Sequence, residues 1–205
     1  DHPGGELTLT FDASSTLAAQ IVEGAPADVY ASADEANVIR LVDEGLVAGD
    51  PEVFARNRLV IVTRPGNPEG IEGLADLAEA AGTGGVISLC GEAVPCGRYT
   101  GDALASAGVV IPEDRVTRGQ NVSATLTAVP AGDAVAAVVY ESDAVAAGEA
   151  VTTVGVPEQH DVIAAYPIVV LAGTDHPDVA RAFVDLVLGA EGQAILADHG
   201  FLPAP

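Results

Sequence analysis

An α/β fold is what the sequence predicts, on three observations. Apolar residues switch repeatedly between strand-like stretches (alternating or unbroken) and stretches spaced three to four apart, so strands and helices take turns along the chain. Repeated strand–helix units pack as sheets with helices on their faces, and right-handed crossovers make such sheets mostly parallel. With 205 residues, 49% of them apolar, and mean hydropathy +0.34, the chain can bury a large core in one domain or two smaller lobes.

The elements follow in order. Leu7, Leu9 and Phe11, interleaved with Thr8 and Thr10, have the period of two of a strand with one buried face. Leu17 and Ile21, four apart, mark a short helix over 16–22 that Gly24, Pro26 and Asp28 end. Residues 29–33 read as a strand. Asp34 can then cap a helix carrying Val38, Leu41 and Val42, which stops at Gly45. Leu59-Val60-Ile61-Val62 is apolar at consecutive positions, as in a strand covered on both faces. A helix over 73–81 precedes a strand over 86–89, and a helix over 98–107 follows. A short strand near Val116 leads into a helix from 122, which Pro130 should end early because proline has no N–H and crowds the preceding turn. Strands are expected over 134–140, 151–156 and 168–171. Helices over 177–188 and 190–198 close the chain, the first burying Val179, Phe183 and Leu186. No internal repeat or long linker interrupts this order.

Charge narrows the function. Eight Lys and Arg against thirty Asp and Glu leave a formal net charge of −22. Nucleic-acid binding needs a basic face, which eight scattered cations do not supply, and anionic membrane surfaces are disfavoured likewise. No apolar run approaches the ~20 residues that span a bilayer. The chain contains no Met and opens Asp1-His2-Pro3, so the expectation is that something upstream has been removed.

Chemistry is expected where strands hand over to helices, because ligands of open α/β sheets sit there against helix N-termini. Two segments fit: Asp12-Ala13-Ser14-Ser15-Thr16 and Gly119-Gln120-Asn121-Val122-Ser123. Each offers free backbone N–H groups, a positive dipole end and short polar side chains, which suit an anion. Taken singly, each also reads as ordinary capping by Ser14, Ser15 or Asn121. Gly82-Thr83-Gly84-Gly85 precedes a strand and lacks a following Gly-Lys-Ser/Thr, so it is a turn and not a phosphate loop. His2, His160, His176 and His199 are scattered without metal-ligand spacing; Arg98 could touch an anion, but its loop position more often means a surface pair with an Asp or Glu.

An ordered set of motifs goes further. Ala13-Ser14-Ser15-Thr16-Leu17-Ala18, then residues 24–34 (Gly-Ala-Pro-Ala-Asp-Val-Tyr-Ala-Ser-Ala-Asp), resemble the extracytoplasmic molybdate-binding proteins of ABC transporters, the ModA type. The resemblance continues through Asn57–Val62, Val94–Tyr99, Asn121–Ala124, Val138–Ala144, Tyr166-Pro167-Ile168 and Gly200-Phe201, covering nearly the whole chain. It implies a two-lobed periplasmic-binding-protein type II fold with hinge strands. One lobe would hold 1–62 plus 166–205 and the other 63–165, with crossings near Leu59–Val62 and Tyr166–Val169. It also implies a monomer that captures molybdate, and tungstate, for a membrane permease. No cofactor is involved, and molybdenum enters only within the bound oxyanion. The location would be extracytoplasmic, either periplasmic or lipid-anchored at the cell surface.

Carried over by motif, the ligand set is Ser14 through its hydroxyl and N–H, the Ala33 N–H, the Val122 N–H and the Tyr140 hydroxyl. Neutral donors of this kind can satisfy a buried dianion without proton transfer. Relatives begin with a further strand, helix and serine ligand, so this chain is expected to be an N-terminally truncated form in which Asp1–Gly5 ends that helix. Cys90 and Cys96 stand where relatives carry other residues, and this paired replacement implies a disulfide; two free thiols or a redox pair remain the alternatives. A binding protein for sulfate or phosphate would share these donors. A hydrolase is the other class, and it would need a His base beside Ser14 or Cys96.

Overall fold

The structure, a computed structural model, describes residues 7–205. Asp1–Gly5, the expected helix end, lies outside the described residues. Fifteen helices and strands alternate in the described chain: α1 (Ser14–Val22), β1 (Val29–Ala31), α2 (Glu35–Asp43), β2 (Val47–Thr63), α3 (Leu74–Gly82), β3 (Ile87–Cys90), α4 (Pro95–Ala107), β4 (Val116–Gly119), α5 (Val122–Ala131), β5 (Ala136–Tyr140), α6 (Glu141–Ala147), β6 (Thr152–Gly155), β7 (Ile163–Leu171), α7 (Pro177–Leu188) and α8 (Ala190–Asp198). The strands lie in the order β1-β7-β2-β5-β3-β4, with β6 also paired to β2.

The α/β class holds, but the sheet is not mostly parallel. Only β3 with β4 and β3 with β5 run parallel; β1–β7, β2–β7, β2–β5 and β2–β6 are antiparallel. Alternation of strands and helices along the chain does not by itself fix strand direction, and β2 and β7 meet all their partners antiparallel, which is why the expectation failed.

β2 joins two ladders. Its first part, Val47 to Arg58, pairs with β7; its last five residues, Leu59 to Thr63, pair with β5 on one side, and Val60 to Thr63 also pair with β6 on the other. The register of the first ladder slips between Ala48 and Glu52, where Gly49 takes φ +90° and Pro51 brings no donor. Side-chain parity then sorts the core. Leu59, Ile61, Val138 and Tyr140 enter a cluster with Ile87, Leu89 and α3, while Val60, Val62, Ala137 and Val139 pack against Val129 on the opposite face. In β7, Val169 and Leu171 face Tyr30, Val38 and Leu41, whereas Ile168 and Val170 face Ala180 and Val184.

Four local expectations are corrected. Residues 7–11 join no ladder among the described residues, and Leu7, Leu9 and Phe11 are 65%, 57% and 84% exposed. Alternation makes a strand only where a neighbour supplies the hydrogen bonds, and β1 pairs with β7 alone. α5 continues through Pro130 to Ala131, because so near the C-terminus the proline sacrifices one bond before Gly132 ends the helix. α4 starts at Pro95, three residues before the expected 98, since proline is at home in a helix's first turn. α7 buries Ala180 and Val184 with Phe183 half-buried, leaving Val179 and Leu186 exposed. The apolar stripe is rotated from the expected one. No helix among the described residues is long and apolar enough to cross a membrane.

Candidate functional site

Ser14 opens α1 and is buried, but it does not cap it: the N-cap is Ala13, with no side-chain bond. Instead Ser14 Oγ accepts the Ala33 N–H at 3.0 Å, and the Ser14 carbonyl accepts the Tyr30 hydroxyl at 2.8 Å. The start of α1 and the turn after β1 are thereby tied together. Because Oγ accepts from Ala33, the serine's own proton is free to point elsewhere. The Ala33 N–H, expected as an independent ligand, is engaged with Ser14.

Asn121 does cap, accepting the Ala124 N–H at 2.9 Å, so the plain reading of that segment holds for its side chain. Val122 is the first residue of α5, where helical geometry offers its N–H no carbonyl within the helix. Gly119, just before it, is needed for close approach: a Cβ there would collide with Thr125 Oγ1.

Tyr140 ends β5 and is 3% exposed, yet its hydroxyl has no hydrogen-bond partner. Burial raises its pKa far above the ordinary tyrosine value, so the phenol remains a neutral donor. Its ring is fixed edge-on against Tyr166 at 5.6 Å, and Tyr166 packs in the same manner on Phe201 at 5.7 Å. Asn57, fully buried on β2, holds this group together by donating to Ser142 Oγ at 2.8 Å and to the Tyr166 hydroxyl at 3.4 Å.

Ala33 and Val122 both pack on the cluster that contains Tyr140, and so does Ala13 beside Ser14. Of the sequence-predicted site residues, Ser14 and Ala33 are thus joined directly, and Ala33, Val122 and Tyr140, with Ala13 beside Ser14, border one large apolar cluster. A model of the family described as bacterial extracellular solute-binding protein matches residues 1–202. The chain belongs to that family. ModA, the molybdate-binding protein of Mycobacterium tuberculosis, is 40% identical over 200 residues, covering 98% of this chain and 75% of that protein. The periplasmic molybdate-binding protein of Azotobacter vinelandii shares the fold with a TM-score of 0.85 at 21% identity, over 99% of this chain and 90% of that one. The sulfate-binding protein SubI of M. tuberculosis does so with 0.82 at 22% identity, over 93% and 74%.

Membership sets the hydrolase reading aside, because these are extracytoplasmic binding proteins of transporters and not enzymes. The geometry agrees. Ser14 Oγ is engaged by a backbone amide, and Cys96 is bonded to Cys90 across a Cα–Cα distance of 5.8 Å, so the implied disulfide is formed. The His160 Nδ1 lies 3.0 Å from Ser106 Oγ on an exposed surface, remote in sequence from the site segments.

Two features of this solute-binding protein escaped the sequence. Asp34 is read there only as a cap, and it does accept the Asn37 N–H at 3.1 Å; it is also a nearly fully buried carboxylate directly after Ala33. Arg98, expected as a surface partner, reaches from α4 to pair with that buried carboxylate and donates to the Ala93 carbonyl at 2.7 Å. Gly97 lets the start of α4 lie close against the Gly91 carbonyl, which a Cβ would strike. Thirty acidic residues are spread along the sequence, so nothing marks Asp34 as one that is buried.

Proposed function

We propose that this chain is a molybdate- and tungstate-capturing solute-binding protein that delivers its oxyanion, as a monomer, to the membrane permease of an ABC transporter. The observation that carries the reading is the buried, partnerless Tyr140 hydroxyl, on the same apolar cluster that Ala33 and Val122 border, with Ser14 tied to Ala33. The 40% identity to a molybdate-binding protein supports the choice of ligand. A hydroxyl buried without a partner costs about 1–3 kcal/mol, and an anion that accepts its proton removes that cost. Donation from Ala33 to Ser14 Oγ polarises the serine hydroxyl and strengthens its own bond to an acceptor. Charge-assisted bonds contribute roughly 1.5–3 kcal/mol each, so several offset the desolvation of a small dianion.

The division into lobes at 1–62 plus 166–205 and 63–165 is part of this reading. It is supported by β2, which leaves β7 after Arg58 and joins β5 at Leu59. Ser14 and Ala33 would belong to one lobe, Val122 and Tyr140 to the other, so only the closed form would complete the ligand shell and present itself to the permease. The protein would work outside the cytoplasm, in the periplasm or tethered by lipid to the cell surface.

Titration calorimetry with molybdate, tungstate, sulfate and phosphate tests the proposal. Saturable heat with molybdate and tungstate at micromolar concentration is expected, with weaker sulfate binding set by cavity size. Absence of molybdate heat overturns it. Equal heats for all four would replace it with a general oxyanion binder.

A further inference from the structure

Asp34 presents a difficulty for any anion site built on Ser14 and Ala33. Its carboxylate is 4% exposed, lies one residue beyond the Ala33 N–H, and faces Ser32 Oγ, Asn37 N–H and Asn37 Nδ2. Its charge is felt at Tyr99 and at Tyr140, where it helps raise both phenols. A buried negative charge this close would repel a dianion through a medium far less polar than water. Neutral donors around it do not cancel the charge.

One cation meets it. Arg98 arrives from the first turns of α4, 64 residues away in sequence, and its guanidinium pairs with Asp34 Oδ2. The guanidinium is fixed from behind by the Ala93 carbonyl, inside the loop that the Cys90–Cys96 bond closes. We infer that Arg98 is a charge-compensating residue of the oxyanion site, neutralising Asp34 so that a dianion can enter beside Ser14 and Ala33. The inference rests on the oxyanion reading above and adds to it a cation that touches no ligand. Because the two partners sit on the two proposed lobes, the compensation is complete only when the lobes approach, which ties anion affinity to closure.

The test is calorimetry with molybdate at low ionic strength on the parent chain, Arg98→Gln, Asp34→Asn and the double variant, with folding checked by circular dichroism. Asparagine is as good a helix cap as aspartate, so α2 retains its start. Arg98→Gln should weaken binding about tenfold, by exposing the ligand to an uncompensated neighbour. Asp34→Asn should tighten it severalfold, and the double variant should return to within about threefold of the parent. Unchanged affinity in Arg98→Gln, or a double variant as weak as Arg98→Gln, overturns the inference. So does any loss of affinity in Asp34→Asn, which would make the pair a mechanical clasp. Should Arg98→Gln fail to fold, Asp34→Asn decides alone: tighter binding supports the inference, and unchanged or weaker binding overturns it. Failure of the oxyanion reading is told apart because the parent itself then shows no molybdate heat, and this inference falls with it.

Discussion

Ser14 and Tyr140 are both buried hydroxyl residues at junctions between a helix and its preceding segment, yet Ser14 Oγ holds a backbone amide and the Tyr140 oxygen holds nothing. Around Ser14 the polar groups satisfy one another: Ala33 donates to the serine, Tyr30 donates to its carbonyl, and Asp34 collects Asn37 and Arg98. Around Tyr140 the order comes from packing, with Tyr166, itself held between Phe54 and Phe201, against the ring while its polar end stays unmet. The first region is largely satisfied without a ligand, with the Ser14 hydroxyl proton left to donate. The second stores a desolvation cost that an acceptor can release, so ligand affinity should draw more on the Tyr140 side and stability more on the Ser14 side.

Breaking the covalent support should have the largest effect on stability. The Cys90–Cys96 bond closes a short loop between β3 and α4, on the Tyr140 side of the sheet. Replacing both cysteines by serine should cost about 2–2.5 kcal/mol, read as a lower urea midpoint at unchanged slope. An unchanged midpoint would mean that packing alone holds that region. Ser14→Ala comes next. It strips the Ala33 N–H of its acceptor and should cost about 1–2 kcal/mol in urea unfolding, while weakening molybdate binding in calorimetry.

How much of this contrast was legible beforehand depends on which force set each part. Leu59–Val62 was readable as a strand buried on both faces because burial is written into side-chain type, and both faces are indeed covered. The long first half of β2 was not, since residues 47–58 mix Asp50, Glu52, Arg56 and Arg58 with apolar positions and contain two register slips. α6 was missed because it begins at Glu141, immediately after β5, with no separating turn signal. Ser14, Ala33, Val122 and Tyr140 came from a resemblance between motifs. That Ala33, Val122 and Tyr140 border one apolar cluster depends on tertiary topology that no local pattern encodes. The same is true of Arg98 with Asp34, whose meeting spans two elements and whose burial is a property of the fold.

Tyr140→Phe should change the two observables in opposite directions. Removing an oxygen that is buried without a partner should raise stability by about 1 kcal/mol while molybdate binding weakens, whereas Ser14→Ala lowers both. Lowered stability in Tyr140→Phe would show that the hydroxyl already has a partner, and the contrast between the two regions would collapse.

The smallest effect concerns Asp143, which supports Tyr140 from below by accepting its N–H at 3.2 Å at the start of α6. Burial pushes its carboxyl up from the ordinary 3.8 to about 6, against the lowering influence of that hydrogen bond. A carboxyl whose pKa is higher folded than unfolded favours the folded state only while protonated. Its contribution is therefore fully present below about 3.8 and is lost as the pH rises through about 6. At pH 7.5 the folded protein carries a poorly solvated carboxylate there. Asp143→Asn keeps an acceptor for the Tyr140 N–H and removes the charge, so it should be the more stable of the two at pH 7.5. The gain should stay under about 1 kcal/mol, because the buried amide has a desolvation cost of its own. Urea midpoints of parent and variant should converge as the pH falls from 7 towards 4. A gap that stays constant over that range would mean that Asp143 is solvated.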